Sequence, residues 1–132
     1  MKVYLAGKMR GIQDFNFPAF YWHAEQLREM GHEVFNPAEI DEQEYGHGFA
    51  KSKFGDLADI PHFNLREALL KDVTWILQHA EAIALIPGWE DSSGVRAELA
   101  LARTIGLTVI HLPIIRHRIG PFDDVPDYLV SD

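Results

Sequence analysis

The stretch Ala82-Ile83-Ala84-Leu85-Ile86-Pro87-Gly88-Trp89-Glu90-Asp91-Ser92-Ser93-Gly94-Val95-Arg96-Ala97-Glu98 passes from an unbroken apolar run, through a turn, into the start of a helix. A strand apolar at every position has both faces covered, which is the signature of a parallel sheet with helices on each side. The turn, residues 87–93, supplies a glycine and two serines, Gly88, Ser92 and Ser93, suited to a tight strand-to-helix corner. The helix then runs over 94–105 and stops at Gly106, and residues 108–112 form another buried strand.

Working outward, the same alternation recurs. Residues 2–6, Lys-Val-Tyr-Leu-Ala, form a first strand that ends in the glycine-bounded loop Gly7-Lys8-Met9-Arg10-Gly11. Asn16 and Pro18 signal a helix start, Phe17, Phe20, Tyr21, Ala24 and Leu27 follow at helical spacing, and Gly31 is the stop. Residues 33–35 make a short strand closed by Asn36-Pro37. Asn64-Leu65-Arg66-Glu67 fits a capping box, and Leu65, Leu69, Val73, Ile76 and Leu77 line one helical face to about Gln78. Between them, residues 38–63 are read as a long irregular excursion, either a lid over a site or a surface insertion. The tail, with Pro113, Gly120, Pro121 and Pro126, reads as irregular with a short terminal helix. Neither a repeat nor a low-complexity segment occurs.

Strands alternating with helices predict an α/β three-layer sandwich with a parallel sheet of four to five strands. At 132 residues, 47% hydrophobic and 24% charged, the chain is expected to be one globular domain. Its formal net charge of −8 argues against binding duplex nucleic acid, which needs a basic face. Without cysteine there is no disulfide, thiolate nucleophile or Cys-based zinc site, and the seven histidines show no metal-ligand spacing. No apolar run reaches signal-peptide or transmembrane length, so a cytoplasmic protein without a membrane partner is expected.

Ligands of such sheets bind at the carboxyl ends of the strands, and three features fall there. Lys8 and Arg10 lie between two glycines, where backbone and guanidinium can grip an anion, although many such loops are only tight turns. Asp72 sits beside the apolar face of its helix, as either a working acid or a structural residue bonded to a neighbour. Ser92, Ser93 and Gly94 open the last helix, where free amides and hydroxyls favour an anion. Glu98 lies one turn further in, where the positive helix end is expected to keep it ionised. The plainer reading is a first-turn acid that happens to face the core.

With these residues in view, the chain resembles the superfamily of nucleoside 2-deoxyribosyltransferases and 2′-deoxynucleoside 5′-phosphate N-hydrolases, and more closely their small phage and bacterial relatives. The resemblance rests on Tyr4 to Gly11, Leu70-Lys71-Asp72-Val73-Thr74-Trp75-Ile76-Leu77, Ala80 to Ile86, and Ser92 to Ala102. It implies a flavodoxin-like fold and a homodimer or larger homo-oligomer with sites near subunit interfaces. It also implies Glu98 as nucleophile, Asp72 as the acid associated with the base, and Tyr4 as the residue orienting the glutamate. Six positions before Glu98, Ser92 stands where the hydrolases have Ser and the transferases Asp. Lys8, Arg96, Ala97 and the 38–63 segment depart from the hydrolase pattern.

The expectation is therefore hydrolysis of the N-glycosidic bond of a nucleoside 5′-monophosphate, without metal or organic cofactor. Gly7, Lys8, Met9, Arg10, Gly11, Trp89, Ser92, Ser93, Gly94 and the Val95 amide are expected around the substrate. Transfer of deoxyribose between bases and non-catalytic nucleotide binding are the alternatives.

Overall fold

The computed structural model describes residues 1–115. The expected irregular tail with its terminal helix lies, apart from Pro113, outside the described residues. Chain order is β1 (Lys2–Ala6), α1 (Phe17–Glu29), β2 (Glu33–Phe35), α2 (Pro37–Tyr45), α3 (Leu65–Gln78), β3 (Ala82–Leu85), α4 (Ser93–Thr104) and β4 (Thr108–His111). The four strands pair in parallel in the order β2-β1-β3-β4. This is a flavodoxin-like three-layer α/β sandwich. Among the described residues no helix is long and apolar enough to cross a membrane.

The side-chain period of two sorts the central strands into two cores. Val3, Leu5, Ala82, Ala84 and Ile86 face α1 and meet Ala19, Phe20, Ala24 and Leu27. Tyr4, Ala6, Ile83 and Leu85 face the other way, onto Ile76 of α3 and Val95, Leu99 and Ala102 of α4. Ala82 and Ala84 of β3 and Phe20 of α1 belong to the same core. From β1 the chain turns toward β2, and from β3 toward β4, so the switch in strand order lies between β1 and β3. Their carboxyl ends open a crevice there.

The 38–63 segment differs from its expectation. Asn36 and Pro37 do not merely close β2; they start α2. The Asn36 side chain accepts the Ala38 amide at 3.0 Å, and Pro37 takes the first helical position, where its missing N–H is no loss. Residues 46–63 are irregular apart from a 3-10 turn at Leu57–Asp59, yet they are fastened to the body. Gly55 O accepts the Gly11 amide at 3.0 Å, and Ser52 O accepts the Asp14 amide at 2.7 Å. In return, the Asp14 carboxylate accepts the Ser52 amide at 3.0 Å. Asp14, Phe15 and Asn16 are all left-handed, with φ of 50°, 56° and 64°. Single non-glycine residues visit this region only rarely, so three in a row need such outside holds.

The Asn64 cap forms as expected, its side chain accepting the Glu67 amide at 3.1 Å. The Asn64 amide goes to the Tyr45 hydroxyl at 2.8 Å instead of to Glu67. The box is thereby replaced by a tie between α3 and the end of α2.

Candidate functional site

A cavity of about 680 Å³ opens over the ends of β1 and β3, within the range of small-molecule sites. Tyr4 points from β1 toward α4, and its hydroxyl donates to Glu98 Oε2 at 2.6 Å. The Tyr4 ring stacks on Phe35 with centroids 5.6 Å apart, and Phe35 leans on Trp75 at 5.1 Å, so the hydroxyl is aimed by packing. Burial and the nearby Glu98 and Asp72 carboxylates hold the Tyr4 phenol well above its ordinary value, which keeps it a donor.

Glu98 is only 7% exposed. Burial pushes its carboxyl up to about 7, against the lowering effect of the Tyr4 hydrogen bond. The expectation that the helix end keeps it ionised is thus corrected. A helix dipole contributes about 0.3–1 kcal/mol near the surface, and the desolvation of a buried carboxylate is larger. Asp72 of α3 is half-buried in the same cavity wall. Its carboxyl is pushed up to about 7 by burial first and by the charge of Glu98 second, with the Tyr4 hydroxyl and Lys71 opposing. The structure therefore brings together Tyr4, Asp72 and Glu98 from three elements.

Gly7, Lys8, Met9, Arg10, Ser92, Ser93 and Gly94 also line the cavity. A Cβ on Gly7 would lie 2.9 Å from Ile86 Cδ1 and 3.1 Å from Phe20 Cζ, so only glycine lets this loop settle onto β3. Ser92 is the N-cap of α4, its Oγ accepting the Val95 amide at 3.2 Å. That corrects the expectation for Val95, whose amide is already used. Among the described residues the Ser93 and Gly94 amides make no backbone hydrogen bond, and the Ser92 hydroxyl keeps its own proton to donate.

Two expected substrate residues lie elsewhere. Gly11 does not line the cavity; at φ +86° it gives its amide to Gly55 and anchors the 46–63 segment. Trp89 is turned away, packing against the core on the α3–α4 side with its ring 6.3 Å from that of His111.

Asp41 was not foreseen. It lies on α2, buried at 7% exposure, and lines the cavity. Burial pushes its carboxyl up to about 7, reinforced by the charge of Asp72 and opposed by Lys71. Reading Asn36-Pro37 as a cap followed by a first helical residue would have put Asp41 one turn beyond Ala38 on a buried face. Phe17, Phe49, Leu57, Ile60 and Phe63 give the same cavity an apolar wall. The exposed Asp91 also lines it, beside the serines. Among the described residues no cluster of three or more His, Cys, Asp or Glu is placed to hold a metal ion.

A family model described as a domain of unknown function, DUF4406, matches residues 1–111. Among curated proteins and among solved structures nothing matches the chain.

Proposed function

The chain belongs to the DUF4406 family, and we propose that it cleaves the N-glycosidic bond of a nucleoside 5′-monophosphate. The observation that carries this reading is the Tyr4–Glu98 hydrogen bond beneath the cavity, with a second carboxyl, Asp72, close enough to feel its charge. A pair of carboxyls sharing one site suits glycosidic cleavage: with one proton between them, one faces the anomeric carbon as carboxylate while the other holds the proton for the leaving group.

Tyr4 occupies Glu98 Oε2, so Oε1 is the oxygen left to face the sugar. In the first step Oε1 bonds to the anomeric carbon as the carbon–nitrogen bond breaks, and Asp72 gives its proton to the departing base. In the second step water attacks the resulting ester, Asp72 takes the water proton, and Glu98 leaves as carboxylate. Raised toward neutrality, Asp72 can hold and release a proton at physiological pH. Arg10, the hydroxyls of Ser92 and Ser93, and the amides of Ser93 and Gly94 offer the donors for the phosphate.

The reading extends to a homo-oligomer acting in the cytoplasm. Of the residues of α3, Ile76 alone is buried, while Leu65, Leu69, Leu70 and Leu77 are exposed, and Leu65 and Leu69 also line the cavity. A second copy laid on this face would cover the apolar surface and narrow the cavity mouth. Sedimentation of the pure protein is expected to show an assembly larger than one chain.

The deciding experiment incubates pure protein with ribo- and deoxyribonucleoside monophosphates and follows free base by chromatography. Release of base that disappears in Glu98→Gln supports the proposal. Tight nucleotide binding with no base released in any case means a binding module instead.

A further inference from the structure

Asp41 lines the cavity at 7% exposure, and among the described residues it accepts no hydrogen bond and pairs with no cation. Lys71, the one cation whose charge reaches it, is turned to Glu44 at 3.1 Å and does not line the cavity. A buried carboxylate left this way is costly, so the position favours a ligand that brings the missing positive charge.

The cavity wall is divided by charge. Its basic residues, Lys8 and Arg10, both belong to the loop after β1, while α2, α3 and α4 contribute the acids Asp41, Asp72 and Glu98. A phosphate held at the loop takes up the two positive charges and leaves the three carboxyls without a counter-ion. Aromatic rings line the same cavity: Phe49 and Phe63 lie 17° from parallel, and Phe17 meets Phe49 edge-on at 5.8 Å. Such rings attract a cation through their electron-rich faces and exclude the water that would screen it. A neutral flat ring can offer a hydrogen bond to one carboxyl but neutralises none of them.

We propose that the base end of the site takes a heterocycle carrying a fixed positive charge, as a pyridinium does, with Asp41 as its counter-ion. The proposal rests on the glycosidase reading for its chemistry, and on binding alone for its test. Such a base departs without a proton from Asp72. As Glu98 Oε1 bonds to the anomeric carbon, the electron pair of the breaking carbon–nitrogen bond stays on the ring nitrogen and cancels its charge.

Calorimetry with 1-methylnicotinamide and its neutral isostere 3-methylbenzamide tests this without turnover, because the two differ in one ring atom and one charge. Wild type is expected to bind the cation at least about tenfold more tightly, the scale of one charge-assisted contact. Asp41→Asn is expected to bring the two affinities close together, with thermal melting to show that the variant is folded. A second measurement needs no variant. Carboxyls pushed up to about 7 are drawn toward their ionised form by a bound cation, so 1-methylnicotinamide is expected to release protons from wild type at pH 7. Binding heats compared in buffers of different ionisation enthalpy measure that release.

Equal affinities, no binding of either compound, or a preference unchanged in folded Asp41→Asn overturns the proposal, and so does cation binding without proton release. If the cation binds as expected but no nucleotide releases base, the glycosidase reading fails and the cation site stands. If base is released from neutral nucleotides while the two isosteres bind alike, the glycosidase reading stands and the cation site fails.

Discussion

Tyr4 and Glu98 stand 94 residues apart in the chain and 2.6 Å apart beneath the cavity. Their bond joins β1 to α4 and also sets the proton affinity of the carboxyl, because it opposes the upward push of burial. Tyr4→Phe is therefore expected to raise the Glu98 pKa further and to move the acidic limb of the rate profile to higher pH. Near neutrality the loss is expected to be about tenfold or more, the scale of one hydrogen bond to a charged group. A profile that falls in height without moving along the pH axis would show that Tyr4 does not tune Glu98.

Glu98→Gln is expected to keep the fold and to lower cleavage by at least about a hundredfold, as for other directed charges in transition-state stabilisation. Its stability carries a separate signature. A carboxyl raised to about 7 in the folded protein binds its proton more tightly there than in the unfolded chain. Between the ordinary carboxyl range and about 7, wild type accordingly loses stability as pH rises, and the glutamine variant lacks that loss. The melting-temperature difference, variant minus wild type, is expected to grow from pH 5 to pH 8. A constant difference across that range would contradict the buried, raised carboxyl.

For Asp72→Asn the informative variable is the leaving group. If Asp72 supplies the proton, substrates whose base departs easily suffer less from its loss than those whose base departs poorly. Turnover of a graded series of bases checks this, and equal losses across the series would assign Asp72 a structural role.

Phosphate recognition is tested with matched nucleosides and 5′-monophosphates. Wild type is expected to favour the monophosphate by about tenfold or more, the worth of one charge-assisted contact. Arg10→Ala is expected to remove most of that preference while sparing nucleosides. Ser92→Asp keeps an N-cap acceptor for the Val95 amide, so α4 should survive, but it sets a carboxylate against the phosphate. Its expected effect is a shift in preference toward the nucleoside. Equal harm to both substrates in Arg10→Ala would misplace the phosphate site.

Gly55→Ala probes the far wall. Gly55 has φ +64°, and an added Cβ would collide with the Ile12 carbonyl oxygen and the backbone nitrogens of Ile12 and Gly11. Destabilisation of about 1–3 kcal/mol is expected from the strained backbone, beyond any loss of contacts. Calorimetric melting measures it, and an unchanged transition would show that this segment is not docked as described.

Much of the frame was legible because periodicity and punctuation agree. The apolar run at Ala82–Leu85, the glycine stops at Gly31 and Gly106, and the Asn64 cap each reflect a local rule that tertiary structure did not override. Asp72 and Glu98 were singled out by their places on their helices, and Tyr4 through the resemblance; the structure brings the three side chains to one cavity. What escaped was non-local. Trp89 reads as a site residue by its place in the turn, but its ring finds an apolar partner surface on the other side. Gly11 reads as an anion-loop glycine, but its amide answers to Gly55, 44 residues later by sequence number. Asp41 was hidden because Asn36-Pro37 is equally good grammar for a strand end and for a helix start. The proton affinity of Glu98 depends on how much of the core closes over it, which no sequence spacing expresses.

The left-handed run at Asp14, Phe15 and Asn16 bears on the order in which the molecule assembles. The sheet and α1 can form from contacts of their own, but an unsupported L-residue backbone relaxes toward the right-handed basin. Only the arrival of Ser52, 38 residues downstream of Asp14, holds the turn in its native shape. Segment 46–63 is thus expected to dock late in folding and to open first under native conditions, at a free energy below that of global unfolding. Amide hydrogen exchange would then show Asp14 and Gly11 exchanging together and sooner than β1 and β3. Under the proposed function, transient opening of that kind is the expected way in for a bulky nucleotide, with re-docking restoring the wall behind it.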